Sequence, residues 1–134
     1  MNKHKRPAEW HTKVLAVLSK NRGALSAYEV LDELKVFNPK IAPPTVYRAL
    51  NALAERGQVH RLELMNAYVA SRYAEHLHAP VFSVCEQCGQ VEECLAPQVM
   101  SALSDVTGQT GFTSTHQVIE LYGRCISCRD EVTS

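Results

Sequence analysis

Residues 42–58 read APPTVYRALNALAERGQ, and this stretch decides the fold of the N-terminal half. Two prolines suit a first helical turn, where a missing N–H costs nothing, and Gly57 suits the left-handed residue that closes a helix. Between them Val46, Leu50 and Leu53 recur at helical spacing as one apolar face. At about 3.6 residues per turn, Arg48, Asn51 and Glu55 then project outward, with Thr45 and Tyr47 on the flanks. An arginine fork matches guanine O6 and N7, and an asparagine amide matches adenine. Thr45, Tyr47, Arg48 and Asn51 thus give this segment the chemistry of a recognition helix laid in the major groove of DNA.

Working outward, two more helices precede it. After Pro7, Trp10, Val14, Val17 and Leu18 form the stripe of a core-facing helix that Asn21, Arg22 and Gly23 end. In LSAYEV, Ser26 and Glu29 have capping-box spacing and Leu25 and Val30 have hydrophobic-staple spacing, so a second helix starts near Ala27. The apolar phase breaks at Phe37, Asn38 and Pro39. On the other side, QVHRLELMNAYVA reads as two short strands turning at Met65 and Asn66, a wing. Three helices and a hairpin also suit a packing or docking module, but charge favours nucleic acid. Residues 1–62 carry eleven Lys/Arg against five Asp/Glu, and residues 63–134 carry three against nine, a polyanion-binding half joined to a half with another task.

That second half holds all five cysteines. Cys85-x-x-Cys88 and Cys125-x-x-Cys128 have the two-pair spacing at which four thiolates converge on one tetrahedral zinc; a redox CxxC is the alternative chemistry. The interval between the pairs carries a helical stretch from Pro97 to Val106, with Val99, Leu103 and Val106 expected inward. The strand-like FTSTHQVIELYG then leads back to the second pair. Cys94 is left over and reads as a small buried hydrophobe. His60, His76, His78 and His116, with Glu93 and Glu120, supply imidazoles and carboxylates for a second, open metal site.

At 134 residues the chain can bury a real core as one domain or two very small ones. No export signal and no membrane-spanning run is read in it, so a soluble cytoplasmic protein is expected, in a reducing compartment where paired cysteines hold metal more often than they form disulfides. Without an HExxH motif, a nucleophile elbow or a phosphate loop, no enzyme is expected.

Taken in order, PPTVYRAL, CEQCGQVEE, HQVIELYG and CISC identify the chain as resembling the ferric uptake regulator family from about Trp10 to Cys128. LSAYEVLDEL, APPTVYRAL and RLELMNAYVA look most like its zinc uptake regulator branch, and the HHHDH run of the iron and peroxide branches is absent. The resemblance implies an α+β protein: an N-terminal winged helix-turn-helix domain (1–70), a hinge (71–78) and a small α/β dimerisation domain (79–134) built on a four-cysteine zinc site. It implies a homodimeric repressor on a pseudo-palindromic DNA operator, with paired dimers on neighbouring sites a further option and no membrane partner. The signal implied is zinc, with iron, manganese or peroxide as alternatives. Two zinc ions per chain are expected, one held by Cys85, Cys88, Cys125 and Cys128 and one regulatory. By position the regulatory ligands are His60, His78 and Glu93, while Ser71 stands where such regulators have a cysteine. A hydroxyl is a poor zinc ligand, which leaves water, His76 or Cys94 to complete the set.

Overall fold

The computed structural model describes residues 7–72, 80–114 and 117–129. The chain divides into two compact units, Met1–Ala74 and Glu75–Ser134.

In the first unit, α1 (Pro7–Ser19), α2 (Ala27–Leu34) and α3 (Pro43–Glu55) precede a hairpin of β1 (Val59–Leu62) and β2 (Ala67–Ala70). Their boundaries follow local chemistry. The Asn21 side chain donates to the Val17 carbonyl at 2.7 Å, occupying an acceptor the end of α1 leaves open. Ser26 caps α2 in a complete capping box: its hydroxyl accepts from the Glu29 N–H at 3.2 Å, and the Glu29 carboxylate accepts from the Ser26 N–H at 2.8 Å. Prolines begin α3, and Gly57, at φ 75°, ends it. There the Gln58 N–H returns to Leu53 and the Gly57 N–H to Ala54, both at 3.0 Å, the paired bonds of a Schellman closure.

The core is the apolar face anticipated for each helix. Val14, Val30, Leu34, Val46, Leu50 and Leu53 are almost fully buried, joined by Trp10, Val17, Leu18 and Ala49. The wing is tied to this core by Tyr68, which exchanges backbone hydrogen bonds with Leu25 at 2.9 and 2.7 Å. Leu25 thereby adds a short third edge to the hairpin.

In the second unit β3 (Pro80–Cys85) lies between β4 (Val91–Leu95) and β5 (Ile119–Gly123). It pairs antiparallel with β4 across the tight turn 86–90, and parallel with β5 after the crossover through α4 (Pro97–Gly108). A four-residue helix, α5 (Ile126–Arg129), follows β5. Among the described residues of this unit, Pro80, Phe82, Val84 and Met100 are the buried apolar side chains besides Cys85 and Cys128. No helix among the described residues is long and apolar enough to cross a membrane.

Two sequence expectations fail here. Val99, Leu103 and Val106 were expected inward, yet they are 40%, 41% and 61% exposed, while Met100 is the one buried residue of α4. The periodicity is right, but within a single chain the stripe faces away from the sheet. Cys94, expected to be buried, is exposed. Side chains alternate across a strand, and on β4 the inward position falls to Glu93, 8% exposed, so its neighbour must point the other way.

Candidate metal centre and DNA-reading helix

The first candidate surface is the outer face of α3. Val46, Ala49, Leu50 and Leu53 anchor the helix, which leaves Tyr47, Arg48, Asn51 and Glu55 exposed and Thr45 half-buried at the first turn. The four proposed base-reading residues thus sit on one helix, at and beyond the edge of its buried face. Tyr47 is a large aromatic yet 40% exposed. If this face reads bases, Arg48→Ala costs about 1–3 kcal/mol at one preferred base pair and relaxes specificity there. Competition binding with single-base operator variants measures this; an equal loss on specific and random DNA reduces Arg48 to a phosphate contact.

The second candidate centre lies at one end of the three-stranded sheet. Parallel pairing sets Cys85, at the end of β3, beside Gly123, at the end of β5. The turn after β3 carries Cys88, and the segment after β5 carries Cys125 and Cys128. Both knuckles therefore meet at the same edge. The Glu86 N–H bonds to the Gly123 carbonyl at 2.8 Å, and Arg124 donates to the Gln87 side chain, so the knuckles are joined by hydrogen bonds as well. The four sulfurs lie within 4.8 Å of one another, with Cys88 and Cys125 Sγ 3.7 Å apart. A tetrahedral zinc with Zn–S near 2.3 Å places its sulfurs about 3.8 Å apart, so the donor set fits.

The electrostatics point the same way. The Cys88 N–H, 3.4 Å from Cys85 Sγ, and the Cys125 N–H favour the Cys85 thiolate and bring its pKa down to about 6 against the opposing effect of burial. Burial, followed by the neighbouring thiols, pushes Cys128 up to about 12. Four thiolates cannot share so small a volume without a cation to balance them, whereas backbone N–H groups aimed at sulfur are preorganised for the ionised form. Cys85 and Cys128 are buried, Cys125 half-buried and Cys88 exposed.

The residues expected at a regulatory site are distributed over both units. His60 is half-buried on β1 with its Nε2 shielded from solvent. It pairs with Val69, and the ladder continues through a bond from the Ser71 N–H to the Gln58 carbonyl at 2.9 Å. His60 and Ser71 thus stand diagonally on one face of the hairpin, within reach of each other's longer side chains. Glu93 is buried on β4 opposite Phe82, and Glu120 pairs with Phe82 from the other side. Glu93 and Glu120 therefore share a sheet face, where Tyr122 donates to Glu120 at 2.7 Å. Cys94 is on the opposite face of β4 from Glu93. His76, His78 and His116 lie outside the described residues. The Arg124–Gln87 bridge was not anticipated; the only sequence signal for it is an arginine directly before Cys125.

Known proteins resemble this chain. The sequence pattern described as the ferric uptake regulator family matches residues 5–122. The zinc uptake regulation protein of Escherichia coli (strain K12) is 40% identical over 116 residues, 86% of this chain and 68% of that protein. That of Mycobacterium tuberculosis (strain CDC 1551 / Oshkosh) is 34% identical over 105 residues, 78% of this chain and 79% of the relative. The solved structure of a zinc uptake regulator complexed with zinc and DNA superposes with a TM-score of 0.89 at 35% identity, covering 98% of this chain and 89% of that one. With helix α3, the wing and the first cysteine pair all inside residues 5–122, the chain belongs to the ferric uptake regulator family.

Proposed function

We propose that this protein is a zinc-responsive transcriptional repressor that binds a pseudo-palindromic operator as a homodimer when zinc-loaded. The observation that carries the reading is the likeness of nearly the whole chain to a regulator solved with both zinc and DNA. The exposed Tyr47, Arg48 and Asn51 supply the reading face, and the family's members are regulators rather than enzymes. The apolar stripe of Val99, Leu103 and Val106, exposed in one chain, suits burial against a second copy. A two-fold dimer presents two α3 helices to two half-sites.

Two zinc ions per chain are proposed. Cys85, Cys88, Cys125 and Cys128 would hold the first, which supplies folding energy to the second unit. His60, His78 and Glu93 would hold the second. These ligands come from both units, so holding the ion limits the angle between them and with it the spacing of the recognition helices. Linkage requires the converse, that DNA tightens zinc binding. Strand alternation separates Cys94 from Glu93, which favours water or His76 as the fourth donor.

Zinc content measured before and after mild chelation tests this reading, with two ions per chain expected to fall to one while the dimer persists. One ion throughout contradicts it. Ser71→Cys places a thiolate on the hairpin face that carries His60 and is expected to tighten the exchangeable zinc by roughly tenfold or more. Affinity at that site falls on acidification, because both imidazoles must be neutral to bind. Competition with a fluorescent zinc indicator across pH reads both effects, and an unchanged affinity for Ser71→Cys removes position 71 from the site.

A further inference from the structure

The wing carries a charged arrangement that the preceding reading does not use. Arg61 is the outward residue of β1, between the half-buried His60 and the buried Leu62. The chain then turns back within the stretch 62–66, closed by a bond from the Asn66 N–H to the Leu62 carbonyl at 2.8 Å. Asn66 adopts φ 52°, a left-handed conformation that asparagine tolerates better than most residues. This conformation turns the Asn66 side chain toward Arg61, and Asn66 Oδ1 accepts from both Nε at 3.0 Å and Nη2 at 2.8 Å. Nη1 donates to Glu63 Oε1 at 2.9 Å.

A guanidinium has five N–H donors in a rigid plane. These bonds use three of them, so Nη1 and Nη2 each keep one. The Arg61 side chain remains 40% exposed. The guanidinium is therefore oriented by its neighbours yet retains a donor on both terminal nitrogens, the geometry that takes a phosphate through two parallel bonds. β1 leaves α3 through the Gly57 turn and packs against it, so this donor pair belongs to the same unit as the base-reading face.

We infer that Arg61, held by Asn66 and Glu63 on the wing, is a DNA backbone contact that grips a phosphate beside the groove read by α3. The inference rests on the DNA-binding reading above. The ion pair with Glu63 is solvent-exposed and weak, so a phosphate can share or displace the carboxylate at little cost. Asn66 is a positioning residue: it fixes the guanidinium before DNA arrives and so lowers the ordering cost of the contact. A phosphate contact carries register and affinity but no sequence information.

The test uses the zinc-loaded full chain, a duplex selected by the wild-type protein from a random pool, and a scrambled duplex of the same length, titrated at several salt concentrations. Arg61→Ala is expected to weaken both duplexes by on the order of tenfold near physiological salt, leave their affinity ratio unchanged, and make the slope of log K against log salt shallower by about 0.9. Asn66→Gly keeps the left-handed turn but removes the acceptor; affinity then drops a few-fold, by roughly the entropy of one freed side chain, with the slope retained. An unchanged affinity and slope for Arg61→Ala overturns the contact, as does a loss confined to the selected duplex, which would make Arg61 a base reader. Wild-type affinity for Asn66→Gly overturns the positioning role. If wild-type protein binds neither duplex, the DNA-binding reading fails and this contact with it, whereas wild-type binding with an unaffected Arg61→Ala removes the contact alone.

Discussion

Cys88→Ser is expected to release the zinc held between the two knuckles and to convert the dimer to monomers. The reason lies in the unequal cores of the two units. The first buries a continuous apolar cluster from Trp10 to Tyr68, but among the described residues the second buries little beyond Pro80, Phe82, Val84, Glu93, Met100, Cys85 and Cys128. A core that small does not offset the conformational entropy of its chain without a staple. A structural zinc contributes about 10–16 kcal/mol of apparent binding energy in small peptide sites, so losing one of four thiolates removes most of what orders the sheet. Helices α1 to α3 have their own core and are expected to persist. Metal analysis, sedimentation and far-UV circular dichroism together should show zinc loss, monomers and substantial remaining helix. A Cys88→Ser protein that stays dimeric with unchanged zinc would show that the four cysteines are not the structural site.

Glu93→Gln gives the second large effect, of a different kind. Glu93 is 8% exposed on β4, and glutamine keeps its shape while removing the charge that a cation needs. The variant is expected to retain the four-cysteine zinc and the dimer but to lose about 5- to 150-fold of the zinc-dependent gain in DNA affinity, the usual range of coupling between two sites. His78→Ala and His60→Ala are expected to act alike, since each would remove a donor from the same proposed set. Anisotropy titrations with and without added zinc measure the coupling directly. Wild-type zinc response in all three variants would move the regulatory site elsewhere.

Much of the DNA-binding half was legible because its signals are local. The prolines and Gly57 bound α3, Ser26 and Glu29 form the box that starts α2, and the apolar stripes fall where the core needs them. Such signals depend on a few neighbouring residues and survive without knowledge of tertiary contacts. The cysteine spacing was legible for a similar reason, because a tetrahedral ion imposes geometry on each pair.

What the sequence concealed depends on partners or on strand phase. The stripe of Val99, Leu103 and Val106 is periodic, but periodicity does not say whether the apolar face meets its own sheet or another subunit. Met100, one position along, is the residue that turns inward. Cys94 and Glu93 were each plausible as the buried residue. Hydrophobicity favoured the cysteine, yet register with Val81 and Phe82 on β3 put the glutamate inside. A charged residue held in that position at the expense of a better hydrophobe is what the proposed regulatory site would require. The Arg61 arrangement was concealed too, since it depends on the left-handed Asn66, which the hairpin alone does not reveal.

The central claim is that zinc occupancy of a site separate from the four cysteines controls DNA binding. It is tested most directly by titrating DNA affinity against buffered free zinc, with metal content determined at each point. The account predicts that protein carrying one zinc per chain is dimeric but binds the selected duplex weakly, and that affinity rises in step with uptake of a second zinc. Full affinity at one zinc per chain, unchanged as the second binds, would contradict it.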